Sequence, residues 1–540
     1  MPRVTDTVRV VASRLVAWAR GPVSRAVLAI AAVWFVAALS GILCAEGLAP
    51  RVFCTPDEAA NRQAAGVIAK TGRPFLELPF EDPEDLAHPR AWLTQGSVAI
   101  PIYPPVSLYF YAFLLRLGRF GHVLLASLPA SAVAAFAAGI ARLLPAGRRW
   151  LAVFAPALAL PALYWLLRPW MNVCALLTCV CWAVNFFSCW CASRRNGWLV
   201  ATMACVGAAA AVRPDYTVYL LLVALILAWG REPAEWRRTG GLAFAAGAGA
   251  LVANLVGNYL VTGHPFRAAY QLAMAQDRAA SYVNPALKLL QLLFFPMTFP
   301  GWSTIGQALF RYWVSMQPTY LLLGAQVCLF VFLKPARRSE RLAVTATIVL
   351  ACAFMISRVD PDLFGMDREA AWVHDSVPRY WSPVYLLASI PLVLVVGRSQ
   401  VRWQAIAGVS VLAALAAGNL VQVVGRSPQS ILHQRQISHR DQDRLVRFGE
   451  LLPRDAIVYT PTGDKVLWSR YRVASTDDDP AKTVRSIERA LRSSLPVFFW
   501  NHSLTTRAAR AFEMALRRHE LVLVKLDEPL HLYTIEPLGR

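Results

Sequence analysis

Apolar stretches of bilayer length, or close to it, recur from Ala26 to about Val424 and are separated by polar connections. A helix needs about 20 predominantly apolar residues to cross the hydrocarbon core of a membrane. The pattern therefore predicts an all-α polytopic membrane core with about 11–13 transmembrane helices. The predicted crossings are 26–46, 98–117, 121–144, 151–167, 171–192, 198–212, 216–230, 241–261, 317–334, 342–357, 378–396 and 402–424, and the short proline-containing stretch 286–300 is interpreted as re-entrant.

A polar loop, 47–97, separates the first two predicted crossings. Loops of this length usually have a function or a structure of their own. The stretch Pro56–Lys70 carries small and apolar side chains at helical spacing, which predicts a helix lying along the membrane surface. The acidic run from Glu81 to Asp85 follows that helix. We interpret this run as a solvated loop, with contact to a metal or an acceptor as the alternative.

The tail, 430–540, differs from the rest of the chain because helical and strand-like patterns alternate along it. Alternation of this kind predicts a small C-terminal α/β domain of about 100 residues outside the membrane. No glycine-rich phosphate turn follows its strands, so the domain alone indicates no function. Its predicted elements are helices at 441–452, 480–492 and 505–518 and strands at 456–459, 497–500, 521–525 and 531–535. The predicted organisation is thus a basic N-terminus (1–25), a membrane domain (26–424, including loop 47–97) and the tail.

Composition supports the membrane assignment and excludes a soluble enzyme. Hydrophobic residues make up 56% of the 540 positions and charged residues only 16%, whereas a soluble protein carries about 25% charged residues. The net charge of +21 is explained by cationic loops that face the cytoplasm and anionic lipid, so no nucleic-acid partner is expected.

The basic clusters predict the orientation in the inner (cytoplasmic) membrane. They place loop 47–97 and the tail on the external side, but the count contains one inconsistency. Two predicted crossings separate external residue 97 from cytoplasmic Arg148, where an odd number is required. Either one crossing is misassigned or one basic pair is external. The clusters are the N-terminus, Arg148/Arg149, Arg194/Arg195, Arg231/Arg237/Arg238, Lys334/Arg337/Arg338/Arg341 and Arg398/Arg402.

Two adjacent carboxylates, Asp57 and Glu58, begin the predicted surface helix directly after the first crossing. A carboxylate facing a cavity can accept a proton from a substrate hydroxyl. Carboxylates in the first turn also stabilise a helix through its dipole and its unpaired amides. The residue types alone leave both interpretations open.

Cationic residues accompany the external ends of later crossings. Arg379 lies in the sequence Pro378-Arg-Tyr-Trp-Ser-Pro383, where a crossing begins. An arginine at that depth is costly unless it meets an anion, so we expect Arg379 to have a partner, either a substrate or a lipid phosphate. The sequence Thr262-Gly-His-Pro-Phe266 lies in an external loop beside Arg267.

The order of these short motifs resembles that of a known enzyme class. Asp57-Glu58 is followed by the paired prolines Pro104-Pro105, by Arg213-Pro214, by Gly263-His264-Pro265-Phe266 and by Arg379-Tyr380. This order resembles the GT-C class of integral-membrane glycosyltransferases, and within it the branch of the protein O-mannosyltransferases and the transferase that adds aminoarabinose to lipid A. The resemblance covers about 26–424.

The resemblance implies sugar transfer from a polyprenyl-phosphate donor to a lipid, glycan or protein acceptor on the external (periplasmic) face. It implies that Asp57 is the catalytic base and Glu58 its partner. It further implies that Arg379 and Tyr380 face the donor phosphate. We hypothesise that Arg267 or Arg213 assists Arg379 there, and His264 is a further substrate-binding candidate. Members of the class differ in their use of a divalent metal, so a metal cofactor stays open. The external residues His88, His264 and His374 lack metal-ligand spacing.

Two rival functions fit part of the pattern. A transporter or flippase of lipid-linked glycans would need ionisable residues deep within several crossings together with repeat symmetry, whereas here they cluster at the ends of crossings. A polysaccharide polymerase or ligase would use the same donors, but such enzymes typically have their large external loop late in the chain.

Overall fold

The computed structural model describes residues 22–45, 55–269, 338–357, 376–424, 430–501 and 505–538, with a few isolated positions between these ranges. The predicted crossing 317–334, the re-entrant stretch 286–300 and His374 lie outside the described residues. The helices are α1 (Pro22–Ala45), α2 (Pro56–Thr71), α3 (Pro105–Arg116), α4 (Gly118–Leu143), α5 (Phe154–Leu158), α6 (Leu160–Leu166), α7 (Asn172–Ser193), α8 (Asn196–Val212), α9 (Thr217–Arg231), α10 (Trp236–Thr262), α11 (Arg338–Ser357), α12 (Ser376–Arg398), α13 (Arg402–Val424), α14 (Ile431–Leu451), α15 (Asp464–Leu467), α16 (Pro480–Arg492) and α17 (Thr506–Arg518). The strands are β1 (Leu76–Glu77), β2 (Trp92–Gln95), β3 (Val98–Pro101), β4 (Ile457–Tyr459), β5 (Arg472–Ala474), β6 (Val497–Trp500), β7 (Leu521–Asp527) and β8 (Leu532–Pro537).

The chain forms two compact units that do not follow its linear order. The helical unit takes the described residues of 1–45, 126–251 and 282–432. The loop–tail unit takes those of 46–125, 252–281 and 433–540. Loop 47–97, which the sequence pattern assigned to the membrane domain, therefore groups with the tail.

Within the described part of the chain, six helices are long and apolar enough to cross a membrane, namely α1, α4, α7, α10, α12 and α13. The shorter α8 and α11 are also apolar. A large core joins α1, α4, α7, α8, α11, α12 and α13 in the helical unit, and its buried aromatic residues include Trp165, Tyr216, Trp381 and Tyr385. The predicted helical membrane core is confirmed.

One predicted crossing, 98–117, is wrong. Residues Val98–Pro101 form strand β3, and α3 then has only 12 residues. At 1.5 Å per residue α3 is about 18 Å long, well short of the roughly 30 Å hydrocarbon core. The paired prolines explain the change, because Pro104 precedes the helix in an extended conformation and Pro105 begins it. With only α4 between the loop and Arg148, the number of crossings becomes odd, as the charge pattern requires.

The predicted crossing 151–167 is interrupted rather than continuous. A 3-10 helix (Ala146–Val153) leads into α5, and the backbone leaves the helical region at Ala159 before α6 begins. Nearby, Arg148 donates hydrogen bonds to the main-chain oxygens of Val396, Gly397 and Ser399 at the end of α12. This arginine therefore binds carbonyl oxygens at the C-terminus of α12 that have no hydrogen-bond donor within the helix.

A five-stranded mixed sheet forms the centre of the loop–tail unit, in the order β5-β4-β6-β8-β7. Alternate strand residues face opposite sides, so Val458 belongs to a core with Phe448 of α14, whereas Tyr459 belongs to a core with residues of α16 and α17. The predicted α/β domain is confirmed, and the helix predicted at 480–492 is observed with those bounds. Strand β5 at the edge of the sheet was not predicted from the sequence.

The acidic run is not a solvated loop, contrary to our interpretation. Asp82 is buried and accepts backbone hydrogen bonds from Leu86 and Ala87, both at 2.5 Å. Glu84, also buried, binds the guanidinium groups of Arg489 at 2.6 Å and Arg485 at 3.4 Å on α16. The run therefore fastens the first loop to the tail domain. Sequence reasoning missed this because its cationic partners lie about 400 positions away along the chain.

The last carboxylate of the run, Asp85, orders the loop itself. Asp85 accepts from the amide of Thr94 at 2.6 Å and contacts His88 at 2.7 Å. Burial alone would raise the pKa of Asp85, but these hydrogen bonds and the His88 charge together lower it. Burial raises the pKa of neighbouring Asp82, despite its two amide donors. His88 is therefore a structural partner of Asp85 in this loop.

Candidate active site

The first candidate group lies at the start of α2 in the loop–tail unit. Thr55 and Glu58 form a reciprocal capping box, in which the Thr55 amide and hydroxyl donate to the Glu58 carboxylate at 3.1 and 2.9 Å. The Glu58 amide donates back to the Thr55 hydroxyl at 3.2 Å. Glu58 is fully buried. Its carboxylate therefore fixes the first turn of the helix, which is the second of the two interpretations left open by the sequence.

Asp57 precedes Glu58 on the same turn and is half-buried. The capping box holds the backbone of this turn, with Pro56 as the first helical residue. Asp57 is therefore a carboxylate presented from a helix start whose local conformation is fixed by its neighbours. This arrangement suits a residue that must meet a substrate hydroxyl in one geometry.

A second candidate group lies in the helical unit, where α8 gives way to α9. Arg213 follows the last residue of α8 and pairs with Asp215 through two hydrogen bonds, of 3.0 and 2.8 Å. Its guanidinium carbon also lies 5.3 Å from the ring centre of Tyr216 and 5.5 Å from that of Tyr380. Tyr216 in turn donates to the main-chain oxygen of Tyr380 at 2.8 Å. The loop after α8 is thereby bound to the start of α12.

Arg379 completes this group from the first turn of α12. Its guanidinium carbon lies 5.2 Å from the ring centre of Tyr380 and 5.9 Å from that of Trp165. The ring of Tyr380 thus contacts two guanidinium groups, those of Arg213 and Arg379. The Tyr380 ring therefore brings two cations close together. A pair of neighbouring guanidinium groups suits an anionic ligand.

The sequence reasoning missed one member of this group, Arg168. It is only 2% exposed, donates to the Tyr164 hydroxyl at 2.8 Å and lies 4.8 Å from that ring. Tyr164 packs edge-on against Trp165, the ring that Arg379 contacts. A signal was available, because Arg168-Pro169 repeats the Arg213-Pro214 dipeptide directly after an apolar segment.

Trp165 contributes a buried polar atom to the same group. The residue is 1% exposed, and its indole nitrogen has no hydrogen-bond acceptor among the described residues. A buried N–H without an acceptor is costly and is often explained by a ligand or an ordered water. Its position beside the Arg379 guanidinium adds a neutral donor to the cationic group.

The remaining candidates, His264 and Arg267, lie in an exposed turn after α10 in the loop–tail unit. The Thr262 hydroxyl lies within hydrogen-bond distance of the main-chain oxygens of both residues, at 3.0 and 2.9 Å. This organises the turn. The described residues contain no cluster of three or more His, Cys, Asp or Glu side chains arranged as metal ligands.

The structure thus brings Arg213, Arg379 and Tyr380 together and adds Arg168 and Trp165 to them. It places Asp57, Glu58, His264 and Arg267 in the other compact unit. A cationic, aromatic group suits an anionic substrate, and a carboxylate at a fixed helix start suits proton transfer.

No family model matches the chain, and no curated protein matches it in sequence. A solved structure does resemble it, the crystal structure of ArnT from Cupriavidus metallidurans bound to undecaprenyl phosphate. The match has a TM-score of 0.52 and 14% sequence identity, and it covers 94% of this chain and 97% of that one. At this identity the comparison shows the fold, and the fold expected from the motif order, a GT-C-like membrane core with a C-terminal α/β domain, is confirmed.

Proposed function

We propose that this protein is a membrane glycosyltransferase that moves a sugar from a polyprenyl-phosphate donor to an acceptor on the external face of the inner membrane. The observation that carries the proposal is the arginine–aromatic group at the start of α12, within a fold shared with ArnT bound to undecaprenyl phosphate. The proposal includes the branch of lipid A aminoarabinose and protein O-mannosyl transferases, with the sugar and the acceptor left to experiment.

In the proposed reaction the acceptor hydroxyl oxygen attacks the anomeric carbon of the sugar. A new carbon–oxygen bond forms, while the bond from that carbon to the phosphate oxygen breaks. The electron pair of the broken bond stays on the polyprenyl phosphate, whose growing negative charge is stabilised by Arg379 and Arg213. The hydroxyl proton passes to the carboxylate of Asp57.

The other candidates receive supporting roles. Tyr380 holds both arginines through its ring, as the contact distances support. Arg168 adds positive charge at the same group, and Glu58 keeps the first turn of α2 in place through the capping box. His264 and Arg267 are proposed as outer contacts for the substrate because their side chains are exposed.

The decisive experiment is transfer by the purified protein in detergent from a panel of defined polyprenyl-phosphate sugars, with Asp57→Asn measured beside the wild type. We expect the wild type to release polyprenyl phosphate and Asp57→Asn to lose about 10²–10⁴-fold in kcat, the usual contribution of a general base. Binding of undecaprenyl phosphate should be unchanged in the variant. Full activity of Asp57→Asn would remove it as the base. Tight lipid binding without turnover of any donor would favour a flippase instead.

A further inference from the structure

The helix that carries Asp57 is attached to the tail domain at the end where Asp57 lies. Val52, three residues before the helix cap, is 2% exposed and belongs to the tail core that also contains Phe448 and Trp500. Phe53, next to it, is 1% exposed, and its ring centre lies 5.7 Å from that of Trp468. The chain that leads into α2 is therefore packed into the tail before the helix begins.

Trp468 makes a second contact further along the helix. The guanidinium carbon of Arg62 lies 5.9 Å from the Trp468 ring centre, and burial lowers the pKa of Arg62. One indole ring thus contacts a residue before α2 and a residue in its second turn. Asp57 lies between those two contact points in the sequence. Contacts on both sides of a position restrict both the approach of the helix and its rotation about its own axis.

The tail segment that contains Trp468 is itself held by loop 47–97. Trp468 directly follows α15, whose first residue, Asp464, is 4% exposed at its side chain and pairs with Arg90 at 2.6 Å. Arg90 also donates to the main-chain oxygen of Thr462 at 3.2 Å. Arg90 belongs to the same loop as α2. The loop therefore orders the tail segment that in turn contacts α2.

The C-terminal end of α2 is held by contacts with α3 instead of the tail. Gly72 ends the helix in the left-handed conformation, with φ of 77°. Arg116, the last residue of α3, donates to the main-chain oxygens of Ala69 and Ile68 at 3.1 and 3.2 Å. These contacts lie about 12 residues from Asp57, or about 18 Å along the helix. They hold α2 without contacting its first turn.

From these contacts we infer that Trp468 is a positioning residue for Asp57, so that the C-terminal domain forms part of the catalytic apparatus. The inference rests on the proposed role of Asp57. Trp468 acts through the first turn of α2 and does not itself touch the reacting atoms. A displacement of about 1 Å in a catalytic group can cost about 100-fold in rate.

The test compares Trp468→Ala, Trp468→Phe and Arg116→Ala in the full-length protein, with two measurements. The first is steady-state transfer with a donor that the wild type uses. We expect Trp468→Ala to lower kcat about 10- to 100-fold with little change in the KM for the donor. Trp468→Phe, which keeps an aromatic face for Phe53 and Arg62, should recover most of that loss. Arg116→Ala should stay within a few-fold of the wild type.

The second measurement is amide hydrogen–deuterium exchange, which needs no activity. We expect faster exchange in residues 56–60 of Trp468→Ala, with β4 and β6 of the tail protected as in the wild type. Wild-type kcat together with unchanged exchange at 56–60 would overturn the inference. Faster exchange throughout the tail in both Trp468 variants would also overturn it, because the residue would then be structural in general. If no donor supports turnover, the proposed function fails, while the exchange result still decides whether Trp468 holds α2.

Discussion

The two compact units differ in the charge of the residues that we assign to the reaction. The helical unit presents the cations Arg168, Arg213 and Arg379, each within 6 Å of an aromatic ring centre. The loop–tail unit presents the carboxylate of Asp57 at a helix start that Thr55 and Glu58 cap. A departing phosphate needs the first kind of group and an attacking hydroxyl needs the second. Binding of the donor lipid and activation of the acceptor are therefore expected to respond to different substitutions.

Within the helical unit, arginines at the two ends of α12 make different contacts. At its start Arg379 contacts the rings of Tyr380 and Trp165, whereas at its end Arg148 donates to main-chain carbonyl oxygens. The ends are about 33 Å apart for a 23-residue helix. Arg148 stabilises the end of α12 by binding carbonyl oxygens. We therefore expect only substitutions at the start of the helix, near Arg379, to change lipid binding.

The largest expected effect on lipid binding comes from Arg379. We expect Arg379→Ala to weaken binding of undecaprenyl phosphate about 10- to 100-fold, because a hydrogen bond to a charged group contributes about 1.5–3 kcal/mol. Arg379→Lys should recover part of this loss, since lysine keeps the charge but not the planar stacking. Isothermal titration or a lipid-displacement assay measures the change. Arg148→Ala is the matched control at the other end of α12, and equal losses in both variants would contradict the assignment.

Asp215 tests the role of the cations in lipid binding, because neutralising it should raise the affinity where removing an arginine lowers it. It neutralises Arg213 through two hydrogen bonds, so Asp215→Asn should leave more positive charge for the lipid phosphate. We expect the affinity for undecaprenyl phosphate to rise a few-fold, while Arg213→Ala should lower it. The same lipid-binding assay at two salt concentrations reports this, because a charge effect weakens as salt increases. A loss of affinity in Asp215→Asn would mean that the pair acts mainly to shape the loop.

Glu84 tests the attachment of the first loop to the tail. It is 8% exposed at its side chain and binds Arg489 and Arg485. Removing one partner of such a buried pair leaves charge unpaired, so Glu84→Ala should lower the free energy of unfolding of the loop–tail unit by about 1–3 kcal/mol. Thermal unfolding followed by circular dichroism measures this change. Asp527→Ala is a control, because it breaks the tail's own ion pair with the half-exposed Arg447 without involving the loop.

Substitutions of Glu58 should have the smallest effects, and they distinguish the role of Glu58 from that of Asp57. A capping box accepts glutamine as well as glutamate at this position, so Glu58→Gln should keep kcat within a few-fold of the wild type. Glu58→Ala should cost about 1 kcal/mol of stability, the usual value of a lost cap. Transfer assays and thermal unfolding measure the two results. A loss in Glu58→Gln as large as that in Asp57→Asn would show that the carboxylate itself takes part in the reaction.

The sequence determined the elements whose patterns are local. Periodicity located α2 at residues 56–70 and α16 with its observed bounds, and long apolar stretches located the membrane-length helices. It also selected Arg213, Arg379 and Tyr380, which the structure brings together. Each of these results depends on one continuous stretch of the chain or on the order of short motifs.

The contacts between distant parts of the chain became known only from the folded structure. It showed that Glu84 meets Arg489, that Phe53 meets Trp468, and that Arg168 belongs with Arg379 through Tyr164 and Trp165. It also reduced 98–117 to a strand and a helix too short to cross. Hydropathy along a sequence measures how readily a segment leaves water, but it does not distinguish burial in lipid from burial against protein. That distinction depends on which surfaces meet after folding.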